Sequence, residues 1–551
     1  MKTLFVAGFG LFLSLHLSGQ WTADTLQNTV VRDDALQPAV TPLMCDGPNG
    51  STYISWFETQ GGQYVLKMQL LDVDGYAQWP ADGLLISSHP QNSALFRYDL
   101  AADNDGNAIV AFQDERTGQL DIVVYKIAPD GTFLWGVDGI PLSDPGSSQG
   151  LAPVIGVLSN NDVLIAWNAN AASSWIAYAR IDEDGTLLWA VPHQIIGTDR
   201  YTRPRVVASG NSGYIIQYVV ETGSGFPPTS TLFAQKFDAL DQFLWGPVQL
   251  SSKTIPFFHF PEPITDGHGG LYILFQTSNS MNTSLSDVYL QRLYNDGALW
   301  NQLGEPMLEG TGTQRYPAGL AFVDDAVGVM VALKVTDIAQ SIAGISIQRC
   351  DTGNTVLFLP SGSIVIAPNA NYDEPIDLAA TDDGAVLIHR EGSMGSGRIR
   401  ATRLDIFGIP LWSMPMRTLC AVNAAKDDIA CGSVRNDQLV TVWTDDRTNS
   451  GVFAQNLDAS GGIGPVGITP SSPRDDPFSL LTDPADRPEI VPAPGIVGPF
   501  DLSVREAGGK IVRTTRIPGR SRLEYQDLPA GIYTIEIVQD GRRSTLRWCR
   551  P

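Results

Sequence analysis

Acidic turns are the first places in this sequence where chemistry could sit. "DVDG" (Asp72, Asp74), "DNDG" (Asp103, Asp105) and "DEDG" (Asp182, Asp184) each set two carboxylates one residue apart, as the start of a calcium loop does. Such a loop also needs a third spaced acid and a bidentate Glu about twelve positions after the first ligand, and none of the three supplies them. Aspartates in short turns bond their own backbone, and the Gly that follows accepts a positive φ. These segments therefore read as hairpin turns, and no metal ligand is assigned.

Two further pairs invite a binding role. "FQDERTG" (Asp114, Arg116) and "WTDDRTN" (Asp445, Arg447) share an Asp-x-Arg. It could contact a sugar or a carboxylate, but an ion pair that fixes a loop is the simpler reading. The histidines His89, His193, His259, His268 and His389 are scattered, with no HxH or HExxH, and no nucleophile elbow or phosphate-binding glycine loop occurs. Glycoside cleavage needs paired carboxylates, and with 59 acids in the chain no pair stands out. The cysteines Cys45, Cys350, Cys420, Cys431 and Cys549 form no CxxC; Cys420 and Cys431 are near enough in sequence to bridge neighbouring strands, although spacing alone does not establish a bond. No catalytic residue and no cofactor is assigned from sequence. A net charge of −23 disfavours a nucleic-acid partner.

What the sequence does write plainly is a repeat. Trp79 closes "LLDVDGYAQW", Trp135 "KIAPDGTFLW", Trp189 "RIDEDGTLLW", Trp245 "KFDALDQFLW", Trp300 "RLYNDGALW" and Trp412 "RLDIFGIPLW". Phe358 takes the place in "RCDTGNTVLF", and "NLDASGGIG" is a worn eighth copy. Closing positions follow one another at 54 to 58 residues, and a second aromatic recurs upstream: Trp56, Phe112, Trp167, Tyr218, Phe275 and Trp443, with Leu333 and His389 standing in. The apolar runs last five to seven residues between Asp, Asn and Gly, as strands do. A period of this length holds about four strands, one propeller blade. The closing tryptophan would fill the wedge between blades. The fold is therefore expected to be all-β: a single eight-bladed β-propeller over residues 21–464, with seven blades as the alternative. Pro-containing segments at Pro38, Pro153, Pro204, Pro317 and Pro375 open the units. A strand near Thr29–Val31 could pair with the last blade and hide its edge.

Both ends of the chain differ from the repeats. Lys2, the apolar run "LFVAGFGLFLSLHL" and the small pair Ser18-Gly19 have the order of a cleaved signal peptide. Eight prolines fall between Gly461 and Gly498, a span of 38 residues, so residues 465–485 read as a linker. Beyond it, from residue 486, come "GGKIV" (Gly508, Gly509, Lys510), "LPAGIYTIEI" (Leu528, Gly531, Tyr533) and "QDG" (Gly541) with a basic ending. This tail resembles the type A C-terminal sorting domain of the bacterial type IX secretion system, although "PAP" (Pro492–Pro494) stands where that family usually has Pro-Asn-Pro. The resemblance covers about 60 of the 551 residues. It implies a small β-sandwich read by the outer-membrane secretion machinery, and so a secreted or surface-held protein that passes through the periplasm of a Gram-negative cell. No later apolar run could span a membrane.

With a well-marked scaffold and no catalytic constellation, the sequence favours a non-catalytic surface propeller that binds a protein or glycan, or serves in adhesion. The alternative is an extracellular polysaccharide hydrolase or lyase whose acids gather at one mouth of the ring. Two or three carboxylates converging with an arginine in a central pocket would favour the enzyme. Deleting residues 486–551 is expected to strand the protein in the periplasm, and surface labelling of intact cells reads the outcome.

Overall fold

The computed structural model describes residues 20–465, except 92–96, 143–147, 280–281 and 394–395, and residues 478–550, except 483–487, 493–498, 507–509, 524–527, 530 and 540–541. The chain divides into two compact units, Met1–Val466 and Gly467–Pro551.

The first unit is an eight-bladed propeller. Its eight sheets each hold four antiparallel strands; blade 1, for example, runs Ala39–Asp46, Thr52–Gln60, Gln63–Leu71 and Leu84–Gln91 in sequence order. The first strands of the other blades are Asp99–Ala102, Gln149–Val157, Arg200–Ser209, Pro263–Thr265, Thr313–Asp324, Glu374–Thr381 and Lys426–Cys431. Each touches its two neighbours, and the last touches the first, so the eight inner strands close a ring. The second and third strands of a blade are covered on both faces, which is why Ala108–Asp114 and Asp121–Ile127 are buried throughout and show no alternation. Among the described residues no helix is long and apolar enough to cross a membrane.

The repeated tryptophans plug the seams. Trp79 lies in a core cluster built from blades 1 and 2, Trp135 in one from blades 2 and 3, and Trp412 in one from blades 7 and 8. Each indole N–H donates to a carbonyl in the next blade's turn: Trp79 to Pro129 at 3.0 Å, Trp135 to Glu183 at 3.2 Å, Trp245 to Asn295 at 2.9 Å and Trp412 to Ala459 at 3.0 Å. The turn glycine has two reasons to be Gly. It sits at positive φ, as at Gly185 (90°), and a Cβ there would lie 2.7 Å from the Trp135 ring. Where the turn carries another residue the bond is missing. Asp241 and Asn354 hold the left-handed position opposite Trp189 and Trp300. Trp189 stacks instead on His193, with ring centroids 3.9 Å apart, and the Trp300 indole N–H is buried without a partner.

A cation, buried in all these blades but the seventh, reinforces the same joint. Lys126, Arg180, Lys236, Arg349 and Arg403 occupy one repeat position and donate to next-blade carbonyls of Glu183, Ala239, Asn295, Ile406 and Ala459. Asp103, Asp162 and Asp383 pair with three of them inside their own blade, at 2.9, 2.7 and 2.9 Å.

The eighth copy is not worn; its missing parts come from the other end of the chain. Thr29–Arg32 pairs antiparallel with Gly451–Asp458 as the outer strand of blade 8. Trp21 supplies the absent seam tryptophan: it is 1 % exposed, bonds the Val73 carbonyl at 2.9 Å and packs on Gly75.

The acidic turns are structural. Asp72 Oδ1 accepts from the amides of Asp74 and Tyr76, and Asp182 Oδ1 from that of Thr186. Asp114–Arg116 and Asp445–Arg447 are ion pairs of 2.7 and 2.6 Å with wholly buried carboxylates, so both fix loops. His389 is completely buried without a ring partner, and burial pulls its pKa down to about 3. Cys420 and Cys431 are free thiols.

The second unit packs a three-stranded sheet and a four-stranded sheet around one core of Phe478, Phe500, Leu502, Val504, Tyr533, Ile535 and Ile537. Its first strand, Phe478–Thr482, falls within the stretch read as linker. Tyr533 is buried and donates to the Pro529 carbonyl at 2.8 Å; Leu528 packs on the core, Gly531 opens a strand and Lys510 is exposed. Gly508, Gly509 and Gly541 lie outside the described residues.

Trp21→Ala is expected to cost about 3–5 kcal/mol of propeller stability, as emptying a buried indole site does. Trp189→Ala, at a seam without the indole–carbonyl bond, is expected to cost less. Denaturant unfolding of the two variants measures the difference.

Candidate functional site

The repeated Pro segments become the inner strands, and most carry a β-bulge there. Register shifts fall between Val40 and Leu43, Leu151 and Val154, Thr202 and Arg205, Pro317 and Gly319, and Pro375 and Asp377. A bulge leaves one residue out of the ladder, where the N–H that proline lacks is not missed, and it re-aims the next side chain. In blades 4 and 7 the residues just past the bulge are Arg205 and Asp377. In other blades the matching residues are small or apolar, such as Leu43, Val154 and Gly319.

A cavity of about 560 Å³ lies against the inner strands of blades 5 to 8, lined by His259, Phe260, Glu262, Asp377 and Cys431 among others. At its mouth, Glu262 of the blade 4–5 connection meets two arginines. Arg97 Nη1 reaches Glu262 Oε1 at 3.3 Å, and Arg205 Nη2 reaches the same oxygen at 3.2 Å. Arg97 belongs to the connection into blade 2, so this contact joins blades that are not neighbours in the ring.

Two more carboxyls feel Glu262. Burial pushes the Asp377 pKa up to about 6, the Leu378 amide pulls against that, and the Glu262 charge adds to it. Burial likewise raises Asp99, partly offset by the Ile155 amide at 2.7 Å and by Arg205. His259 completes the group. Its Nε2 accepts from the Gln276 amide at 3.0 Å, which assigns the ring proton to Nδ1. Burial, with Arg203, Arg97 and Arg205 nearby, lowers its pKa to about 3, so the ring is a neutral donor.

Arg203 holds the loop in place. The residue is 6 % exposed, and its guanidinium donates to the carbonyls of Phe257 at 2.7 Å and His259 at 2.8 Å and to Glu221 Oε1 at 2.7 Å. The loop it secures carries Phe257, Phe258, His259 and Phe260.

A larger cavity, of about 650 Å³, opens among the turns at the other end of the strands of blades 6 to 8. Two of its acids, Asp324 and Asp458, accept from turn amides. They shape turns and do not converge with a buried acid, so the inner-strand cavity is the candidate site.

None of Arg97, Asp99, Arg205, Glu262 or Asp377 was singled out from sequence, and His259 was set among scattered histidines. The usable signal was a charged residue just after the proline of a unit-opening segment, in "RPRVVA" and "EPIDLA". The assigned tryptophans all lie at seams, away from this group.

No family model and no curated protein matches the sequence. Among solved structures, the chain is similar to a polysaccharide lyase of family PL25, an ulvan lyase, at 9 % identity and a TM-score of 0.44, covering 78 % of this chain and 95 % of that one. It is similar to an α-L-arabinanase of Penicillium chrysogenum at 13 % identity and TM-score 0.34, over 59 % of this chain and 98 % of the other. A GH93 α-L-arabinofuranosidase of Fusarium graminearum gives 10 % identity and TM-score 0.33, over 77 % and 94 %. The expectation of a non-catalytic binding or adhesion module is overturned. Two carboxyls, Glu262 and Asp377, line one inner-strand cavity, and two arginines hold Glu262, which is the arrangement named above as favouring an enzyme. Sequence missed it because the groups come from four different connections and strands.

The raised Asp377 pKa carries a stability signature. Its contribution is full below the ordinary carboxyl range and is lost as pH rises through about 6. Asp377→Asn keeps an acceptor for the Leu378 amide but removes the buried charge. It is expected to be more stable than the native chain at pH 8, by up to about 3 kcal/mol, with the gap closing near pH 4; thermal unfolding at the two pH values checks this.

Proposed function

We propose that this chain is an exported enzyme that cleaves the glycosidic links of extracellular polysaccharide, with the inner-strand cavity as its active site. One observation carries the reading: a half-buried Asp377 that stays protonated up to about pH 6 sits within electrostatic reach of Glu262, a largely exposed carboxylate held by two guanidiniums. Two carboxyls in unlike environments are what acid–base cleavage of a glycoside requires.

The roles follow from surroundings. Asp377 donates its proton to the departing glycosidic oxygen. Glu262, exposed at the mouth, takes the proton of the attacking water or, in an eliminating enzyme, of the sugar carbon. His259 offers a fixed Nδ1–H to a sugar oxygen, and Arg97 and Arg205 orient Glu262. Hydrolysis and elimination share this assignment. The unsaturated product of elimination is distinguished by its ultraviolet absorbance.

Export of the enzyme is part of the same proposal. It is supported by the apolar run of residues 4–17 behind Lys2, and by the tail's resemblance to a type IX sorting domain. A polysaccharide outside the cell would be reachable from there.

Asp377→Asn is expected to lower kcat by about 10²–10⁴ with little change in KM, and Glu262→Gln to do the same or more. The native rate is expected to fall as pH rises above about 6, because the acid form is the working one. Reducing-end and ultraviolet assays on a polysaccharide panel test this. Full activity of both variants, or no turnover of any member of the panel by the native chain, would overturn the proposal.

A further inference from the structure

Along the rim of blades 4 and 5 runs an unbroken line of arginines and aromatics. Arg200 and Arg203 share Glu221, at 3.7 and 2.7 Å. The Arg203 guanidinium lies over Phe257 and Phe260, at 5.8 and 5.6 Å from their ring centroids. Arg97 covers Phe260 at 4.4 Å, then meets Glu262, which Arg205 also holds. Phe226 packs edge-on against Phe257, with centroids 5.2 Å apart. Phe226 and Phe258 are 83 % and 73 % exposed, far more than ring burial in a core would leave.

Charge makes this rim unusual. The chain carries only 36 Lys and Arg against 59 Asp and Glu. Here four guanidiniums bond two carboxylates, Glu221 and Glu262. Arg97 and Arg200 remain about half exposed, at 49 and 56 % of their side-chain surface.

We propose that this rim is an extended subsite for an anionic polysaccharide strand, which leaves the cavity across Phe260 and runs over Phe257, Phe258 and Phe226. Exposed rings cover the apolar C–H faces of sugars, and guanidiniums match carboxylate and sulfate oxygens in pairs. The occupant is a glycan because the line is continuous with the cavity: His259 and Phe260 line the cavity and belong to the same Arg203-fixed loop. This subsite rests on the polysaccharide-cleaving reading and narrows it to a substrate bearing uronate carboxylates or sulfate esters.

The test measures binding with the full chain carrying Asp377→Asn, by affinity electrophoresis in gels containing polygalacturonate, dextran sulfate, dextran or arabinan. Retardation is expected with at least one of the two polyanions, weakening with salt, and not with dextran or arabinan. Polygalacturonate alone identifies uronate as the anion, and dextran sulfate alone identifies sulfate. Adding Phe226→Ala with Phe258→Ala, or Arg200→Gln, is expected to weaken binding at least tenfold. Phe407→Ala, an exposed ring on a blade 7 turn, leaves it unchanged. All four substitutions are at exposed side chains, and circular dichroism confirms folding. Equal binding of neutral glycans, no binding at all, or unchanged binding in the rim variants overturns the subsite. Cleavage by the native chain with KM unaffected by the rim variants sinks the subsite alone. Rim-dependent binding without any cleavage sinks the enzymatic reading alone.

Discussion

A backbone carbonyl in the next blade's turn ties most seams of the ring. At three seams a single backbone oxygen takes two bonds from the preceding blade: Glu183 from Trp135 and Lys126, Asn295 from Trp245 and Lys236, and Ala459 from Trp412 and Arg403. The turn must offer that oxygen at a fixed place, which its Asp side chain and left-handed Gly ensure. It must also admit the indole, which the absent Cβ allows. The recurring phrase is therefore one joint written twice: its Asp-Gly receives the previous blade and its tryptophan grips the next. Buried cations are costly unless paired. Here each has a blade aspartate, a carbonyl or both, so the charge is satisfied while it ties two sheets together.

How much of this could be read beforehand differs between scaffold and site. The scaffold is periodic, and periodicity multiplies a weak local signal eightfold. The Trp79 phrase alone says only turn and strand, but its recurrence says propeller. Reading failed where the period crosses the ends of the chain. Trp21 looks like an ordinary residue ahead of the repeats, because nothing local links it to a blade whose last strand in chain order ends at Asp458. The site was harder for a related reason. Arg97, Arg205, Glu262 and Asp377 follow one another in the chain at intervals of 57 to 115 residues. Each alone is an unremarkable charged residue. What brings them together is the ring, and what aims Arg205 and Asp377 is a bulge that has no sequence signature beyond a nearby proline.

Rigid joints and a reactive centre are linked through those bulges. A bulged inner strand stays in place only because the two buried strands behind it and the seams beside it are firmly packed. That firmness lets the ring hold the Asp377 carboxyl half-buried at the cavity wall and fold a neutral histidine against three guanidiniums. The Asp-x-Arg pairs and the unpartnered His389 show the contrast. The Asp114 and Asp445 carboxylates and the His389 ring are wholly buried, each aspartate pairs with the arginine two residues on, and none of the three lines the cavity.

Closure by both termini has a temporal consequence. The Gln455 side chain bonds the Thr22 carbonyl across 433 residues of chain. A chain delivered from its N-terminus carries an orphan strand and a bare indole until seven blades have emerged and most of an eighth has followed. Loops of that length add little extra entropy per residue, yet contacts so distant in sequence form slowly. The ring is thus a clasp that snaps last, and until it does blade 8 lacks both its outer strand and its seam tryptophan.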